Sequence, residues 1–278
     1  MILKKVFKNN WKKLSLTYIL FNIENILSLF KPYFLGNSID ETIRGNKNGI
    51  IMFIGLYCFL VIVGSFRRIN DTRTFAKIYS TLAVEIVEAQ HMKNITPSKI
   101  TARVSLSNKL VDFFETDITI FFQTVYNIFG ALIMLSIYKE ALLFYCLSIV
   151  IPIAIINKIY SKKNMKLLTL YNNQLEKAVD SISSKNKDLV KNHYETITKL
   201  RVRISDNEAL NFLSNEVFII FLIGSSLFVF YGNKLVSVGA VVAVFQYVNM
   251  FILGLDDIPY LVEQVNKIKD IQKRIFEN

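Results

Sequence analysis

The sequence is poor in the residues that build disulfide frameworks and metal sites. It has two cysteines and two histidines among 278 residues. Cys58 and Cys146 both lie inside apolar runs, so neither a disulfide framework nor a metal site is indicated. His91 and His193 each stand alone in a charged segment, without a second ligand at metal spacing, and we expect both to be solvated. No pattern in the sequence requires a cofactor.

The sequence also lacks the groupings that carry catalysis. It has no nucleophile, base and orienting group at suitable spacing, so hydrolytic chemistry is not expected. It has no Gly-x-x-x-x-Gly-Lys-Ser/Thr loop, and none of its ten glycines directly precedes a lysine. Without that loop, backbone N–H groups cannot form a cradle for nucleotide phosphates. We therefore expect that the chain is not an enzyme and does not hydrolyse ATP by itself.

Long apolar runs dominate what is present. Of all residues 52% are apolar, mean hydropathy is +0.36, and several apolar runs approach 20 residues, which is typical of a polytopic membrane protein. The net charge of +11 would suggest a nucleic-acid partner if the basic residues formed one patch. They lie instead between alternate spans, where such charges set membrane topology, so no nucleic acid is expected.

Charge and hydropathy together predict six transmembrane helices, with both termini on the cytoplasmic side of the cytoplasmic (inner) membrane. Residues 1–13 place lysines around an apolar face that includes Trp11, which predicts an interfacial elbow helix. A signal peptide is the alternative, but no small-residue cleavage site follows. The spans are expected at about 14–35, 50–66, 118–138, 141–159, 217–231 and 238–255, with long helical arms in the cytoplasm at 66–117 and 158–216.

Both arms carry apolar seams that an isolated helix could not bury. The first seam comprises Phe75, Tyr79, Leu82 and Ile86, and the second comprises Leu168, Tyr171, Leu175, Val179 and Ile182. These repeats predict that each arm packs against a partner helix. Near Tyr194 to Asp206 we expect the second arm to turn back towards the membrane. The last span should continue past Pro259 as an amphipathic helix.

Polar side chains inside the spans are the candidates for a substrate pathway, since such groups rarely face lipid. Glu24, expected near the middle of span 1, either binds a substrate or proton, or only wets a cavity or bonds a neighbouring helix. Lys31 is seven residues away, about 10 Å along the axis, which is too far for a direct ion pair. The candidates are Asn22, Glu24, Asn25, Gln123, Asn127, Gln246, Asn249 and Asp256.

The order of these features resembles the transmembrane domain of an ABC exporter. Thr198 departs from the pattern, because the family often has glycine there. The resemblance extends over essentially the whole chain, and the local stretches that carry it are Pro32–Asp40, Ile100–Asp117, Tyr194–Glu208, Tyr231–Phe245 and Arg274–Glu277.

The resemblance implies an all-α, six-helix membrane domain, residues 1–278, in a homodimer whose helices 4 and 5 cross to the partner protomer. The sequence ends before the roughly 200 residues that a nucleotide-binding domain would need. We therefore expect a separately encoded ATPase, which would dock on Lys99–Ser107 and Tyr194–Arg203. The candidate docking residues are Lys99, Arg103, Thr198 and Arg201.

Two other functions remain open from the sequence. One is a secondary transporter similar to the proton-driven peptide transporters with this helix arrangement, in which Glu24 would be the coupling acid. The other is a membrane scaffold that assembles or regulates partners without transport. The transported substrate is not identified by any of these patterns.

Overall fold

A computed structural model describes residues 8–92, 96–183, 186–232 and 236–276. Within these ranges every regular element is an α-helix or a π-helical turn, which agrees with the predicted all-α class. The residues up to Glu140 and from Phe230 onwards form one compact unit, and Ala141–Val229 forms another. Each unit is described by itself.

The first predicted span consists of two helices, α1 (Trp11–Leu29) and α2 (Lys31–Ile43), which meet at Phe30. Pro32 explains the break, because its ring nitrogen has no hydrogen to donate and its ring crowds the carbonyl four residues earlier. α3 (Asn48–His91) then runs without interruption for 44 residues. The helix of span 2 therefore continues well beyond the roughly 20 residues that cross a bilayer.

The first arm is covered by other helices of its own unit. Phe75, Ile78, Leu82 and Ile86 are buried in a cluster with Leu14, Leu110, Val111 and Ile268, and Tyr79 packs against it half-buried. Of these neighbours, Leu14 belongs to α1, Leu110 and Val111 to α4 (Pro97–Asp112), and Ile268 to the last helix. The expected partner for this seam is therefore present within the chain.

α4 begins the helical path that leads into the third predicted span. It starts with Pro97 at its first turn, and Thr96 occupies the N-cap position. The helical path then continues through a π-helical turn (Phe113–Asp117), α5 (Ile118–Val125), a second π-helical turn (Tyr126–Gly130) and α6 (Ala131–Tyr138). A π-helical turn contains more residues than an α-helical turn. Each one therefore moves the residues that follow it to a different side of the helix.

The second unit contains α7 (Glu140–Glu176, of which Glu140 belongs to the first unit), α8 (Ala178–Ser183) and α9 (Lys187–Phe228). The prediction of a turn near Tyr194–Asp206 is wrong, because that stretch lies inside α9. α9 begins after Asn186, whose side chain accepts hydrogen bonds from two backbone N–H groups of the first turn. His193 is buried and hydrogen-bonds Gln174 at 3.1 Å, so the expectation of a solvated histidine is also wrong.

The last helix, α10 (Val238–Phe276), passes through Pro259 without ending, as predicted. Its first turn packs directly on α2, where Gly239 and Gly36 meet backbone to backbone and a side chain on either would collide. The Gly239 N–H donates to Asp40 Oδ1 at 2.8 Å, and the Tyr247 hydroxyl donates to the Leu29 carbonyl at 2.8 Å. These contacts hold α10 against α2 and the end of α1, and the exposed Gln246 lies next to Tyr247.

Five helices of the described chain are long and apolar enough to cross a membrane: 48–91, 103–138, 140–183, 187–228 and 238–265. The pair α1–α2 supplies the additional predicted span, interrupted by Phe30 and carrying Glu24 and Lys31.

Candidate functional site

Glu24 lies in a charged cluster between α1 and α3. Its carboxylate Oε2 accepts a hydrogen bond from Arg67 Nε at 2.5 Å, and the same guanidinium reaches Asp71 Oδ2 at 2.5 Å. The side chain of Arg67 is 14% exposed, against 22% for Glu24 and 8% for Asp71. One buried cation therefore serves two carboxylates, and Glu24 is an ion-paired group.

Neighbouring side chains hold this cluster in place. The Arg67 guanidinium lies 5.1 Å from the centre of the Phe21 ring, a cation–π contact that also excludes water. Asn70 donates to the Thr17 hydroxyl at 2.8 Å, a second link between α1 and α3. Gly64 faces the Glu24 carboxylate so closely that an added Cβ would lie 3.0 Å from Oε1. The absence of a side chain there lets the two helices approach.

The sequence reading missed Arg67 and Asp71 as partners of Glu24. A usable signal was present, because Arg67 and Asp71 stand four residues apart on one helical face. An acid within a predicted span also requires a cation or a polar partner.

Two adjacent cavities extend from Glu24 along the seam between α1–α2 and α3. The first, of about 220 Å³, includes Glu24, Gly64 and Arg68 among its lining residues. The second, of about 260 Å³, reaches α10 at Gln246. Both are lined by Ser28, Lys31 and Tyr57. Two of the predicted pathway residues, Glu24 and Gln246, are thus joined through adjoining cavities.

The two asparagines of span 1 donate hydrogen bonds to backbone carbonyls of α1, and Asn22 also contacts the second π-helical turn. Asn22 Nδ2 donates to the Tyr18 carbonyl at 2.6 Å, and its Oδ1 accepts from the Tyr126 hydroxyl at 2.7 Å. Asn25 Nδ2 donates to the Phe21 carbonyl at 2.8 Å. Asn22 therefore joins α1 to the second π-helical turn.

The predicted polar faces of spans 3 and 6 occupy varied surroundings. Gln123, Gln246 and Asp256 are exposed, whereas Asn127 and Asn249 are half-buried. The contact between these spans uses neighbouring residues that were not predicted: the Thr124 hydroxyl donates to Asp257 Oδ2 at 3.3 Å.

A third cavity, of about 740 Å³, lies between α4, the first π-helical turn and α10. Lys109, Asp112 and Lys267 contribute charge to its walls. Beside it, the Tyr260 hydroxyl donates to Asp117 Oδ1 at 2.7 Å and ties α10 to the π-helical turn. No local sequence pattern indicated this site, because it depends on the π-helical geometry of residues 113–117.

The predicted docking residues belong to different units. Lys99 lies in the first turn of α4, with its side chain outside the described part of the structure, and Arg103 hydrogen-bonds Gln90 of α3. Thr198 and Arg201 are exposed in α9, and the Thr198 hydroxyl donates to the Tyr194 carbonyl at 2.9 Å. A cavity of about 370 Å³ runs along this face of α9 past Tyr194 and Thr198.

Helices of this length and apolarity define a multi-pass, all-α membrane protein. The sequence matches the family model of the ABC transporter transmembrane region over residues 3–239. The chain belongs to this family. Its members form the membrane region of ABC transporters, which is not the catalytic part. Comparison of the sequence with curated proteins gave no match.

Proposed function

We propose that the chain is the membrane subunit of a transporter that moves a solute across the cytoplasmic membrane, driven by an ATPase carried on another polypeptide. The observation that carries this proposal is family membership over residues 3–239. The six spans would form one membrane domain, with both termini in the cytoplasm.

The helix lengths support a connection to a cytoplasmic partner. A helix needs about 20 residues to cross the apolar core of a bilayer. α3, α7, α9 and α10 contain 44, 37, 42 and 39 residues. At 1.5 Å per residue, each therefore extends roughly 25 Å or more beyond the core. Such extensions would transmit a movement of the ATPase to the spans.

The ATPase would dock on the ends of the two arms. The first docking surface would be the start of α4, with Lys99 and Arg103, and the second the exposed face of α9, with Thr198 and Arg201. Exposure of the latter two side chains supports this assignment.

The working unit would be a homodimer in which the spans of α7 and α9 cross to the partner protomer. Its support is the second seam, where Leu168, Leu175, Val179 and Ile182 are 37%, 42%, 71% and 56% exposed. In a cytoplasmic arm these side chains need an apolar partner, and a second copy would supply one.

The pathway for the solute would include Glu24 and Gln246, whose cavities adjoin. Asn22, Asn25, Gln123, Asn127, Asn249 and Asp256 remain candidates for the rest of it. Glu24 would shape this pathway through its contact with Arg67 and would not carry protons.

A proton-driven transporter is the second candidate, and the charge count of the cluster favours it. Two carboxylates, Glu24 and Asp71, share the single guanidinium of Arg67. One negative charge is left over, and a proton could neutralise it.

The experiment is purification of the tagged chain from its native membranes in mild detergent, followed by mass spectrometry. A stoichiometric partner with a phosphate-binding loop supports the ATP-driven transporter. If the chain purifies as a dimer without such a partner, and a pH gradient drives flux, the result favours the proton-driven transporter. If the same dimer shows no flux, the result favours a scaffold.

A further inference from the structure

Lys31 is an ionisable side chain inside the first predicted span. Its Nζ lies 5.5 Å from the centre of the Tyr57 ring, and the residue is half-buried. Tyr57 follows Asn48, the first residue of α3, by nine positions, which corresponds to about 14 Å along the helix. Tyr57 therefore lies inside the second predicted span, which begins at about residue 50, and the Lys31 ammonium group beside it lies inside the apolar core. A lysine at that depth is costly and requires a partner.

The described part of the chain gives Lys31 no acidic partner. Glu24 lines the same cavity, but it is seven residues earlier in the chain and Arg67 Nε holds its carboxylate at 2.5 Å. Arg68, which lines this cavity too, has no ion pair among the described residues either. The cavity therefore presents two cations without an ion pair among the described residues, while its one acid shares the Arg67 guanidinium with Asp71.

The surroundings of Lys31 are polar on one side and apolar on the other. Ser28 and Ser65 place hydroxyl groups near the charged end, and Gln246 adds an amide in the adjoining cavity. Apolar walls continue from there on α2, α3 and α10, formed by Pro32, Leu35, Phe53 and Met250. An ammonium group with nearby hydroxyls suits a carboxylate or phosphate oxygen, and such walls suit an alkyl or aromatic group.

We propose that Lys31 binds the anionic group of an amphipathic organic anion, whose apolar part lies in the cavity that reaches Gln246. The proposal rests on the transport function and deepens it, because it names the class of molecule that is moved. The same chemistry occurs in the headgroup of an anionic phospholipid, so the test separates a free amphiphile from bilayer lipid.

The test is binding of dansylundecanoate, a fluorescent carboxylate amphiphile, to the full chain in phosphatidylcholine nanodiscs. Its methyl ester has the same apolar part without the charge. The variants are Lys31→Met, which removes the charge at similar length, and Lys31→Arg, which keeps it. Lys47→Met is the matched control, because Lys47 is exposed at the start of α3 and outside both cavities.

Wild type and Lys47→Met should bind the carboxylate with equal affinity, and the methyl ester should bind about tenfold more weakly or worse. Lys31→Met should lose about the same factor for the carboxylate but none for the ester. Lys31→Arg should retain most of the affinity. If Lys31→Met fails to fold, the ratio of acid to ester affinity on wild type still tests the proposal.

Competition from phosphatidylglycerol in the nanodisc would identify bilayer lipid as an occupant, whereas its absence would identify the free amphiphile. Equal affinity of wild type and Lys31→Met, equal affinity for ester and acid, or no binding to wild type would each overturn the proposal. None of these measurements uses an ATPase, so their failure would leave the proposed transport function standing.

Discussion

Removal of Arg67 is the most informative perturbation of the charged cluster. Arg67→Met leaves the carboxylates of Glu24 and Asp71, which are 22% and 8% exposed, without their shared cation. Breaking a buried ion pair from one side costs about 3–5 kcal/mol. Because Glu24 keeps some solvent contact, we expect the lower end, a loss of about 3 kcal/mol in the free energy of unfolding.

Glu24→Gln should cost less, about 1 kcal/mol, since Arg67 keeps Asp71 and the glutamine still accepts a hydrogen bond. In the double variant Glu24→Gln/Arg67→Met the losses should not add, because the two side chains share one contact. The assay is equilibrium unfolding in mixed micelles with increasing dodecyl sulfate, followed by circular dichroism.

The matched control for this experiment is Arg68→Met. Arg68 is the next residue, is exposed and has no ion pair in the described chain, so its loss should change stability by less than about 0.5 kcal/mol. Equal stability of Arg67→Met and Arg68→Met would refute the reasoning, as would strict additivity in the double variant.

Three further predictions follow from other contacts. Gly36→Ala should destabilise the protein by about 1–3 kcal/mol in the same unfolding assay, because the added methyl meets the Gly239 backbone; Gly55→Ala, which meets open space, should be neutral or stabilising, and equal losses would contradict the contact. Leu175→Glu should convert the dimer to monomer in native mass spectrometry, whereas Leu170→Glu, on another face of the same arm, should not. If both variants stay dimeric, the second seam is not the dimer contact. Glu24→Gln should leave ATP-driven transport of dansylundecanoate unchanged in proteoliposomes made from the co-purified complex. A flux that a pH gradient drives in wild type and not in Glu24→Gln would instead make Glu24 the coupling acid.

The spans and arms could be predicted because they depend on local properties of the sequence. Runs of apolar residues and the spacing of Phe75, Leu82 and Ile86 need no knowledge of neighbours. The order of the segments resembles that of an ABC exporter membrane domain, and the match to the family model supports this resemblance. The continuous last helix through Pro259 was likewise predictable from its periodicity.

Contacts between distant helices were not predictable in the same way. The pairing of Glu24 with Arg67 depends on which faces of α1 and α3 meet, and one sequence does not specify that. The first π-helical turn (Phe113–Asp117) shifts the face of the third span, and Thr124, which was not predicted, contacts Asp257 of α10. The helix start at Asn186 did have a local signal, a capping asparagine, but the prediction placed the turn near Tyr194–Asp206 instead.

The central claim is that this membrane protein works with an ATPase, and the ATP hydrolysis that co-purifies with the tagged chain tests it most directly. We predict vanadate-sensitive hydrolysis in nanodiscs made from the wild-type preparation. Arg201→Glu, which reverses charge on the proposed docking face, should lose most of it, whereas Lys47→Met, in a loop predicted to lie outside the cytoplasm, should not. Absence of hydrolysis from a folded, dimeric wild-type preparation that still moves solute under a pH gradient would contradict the account.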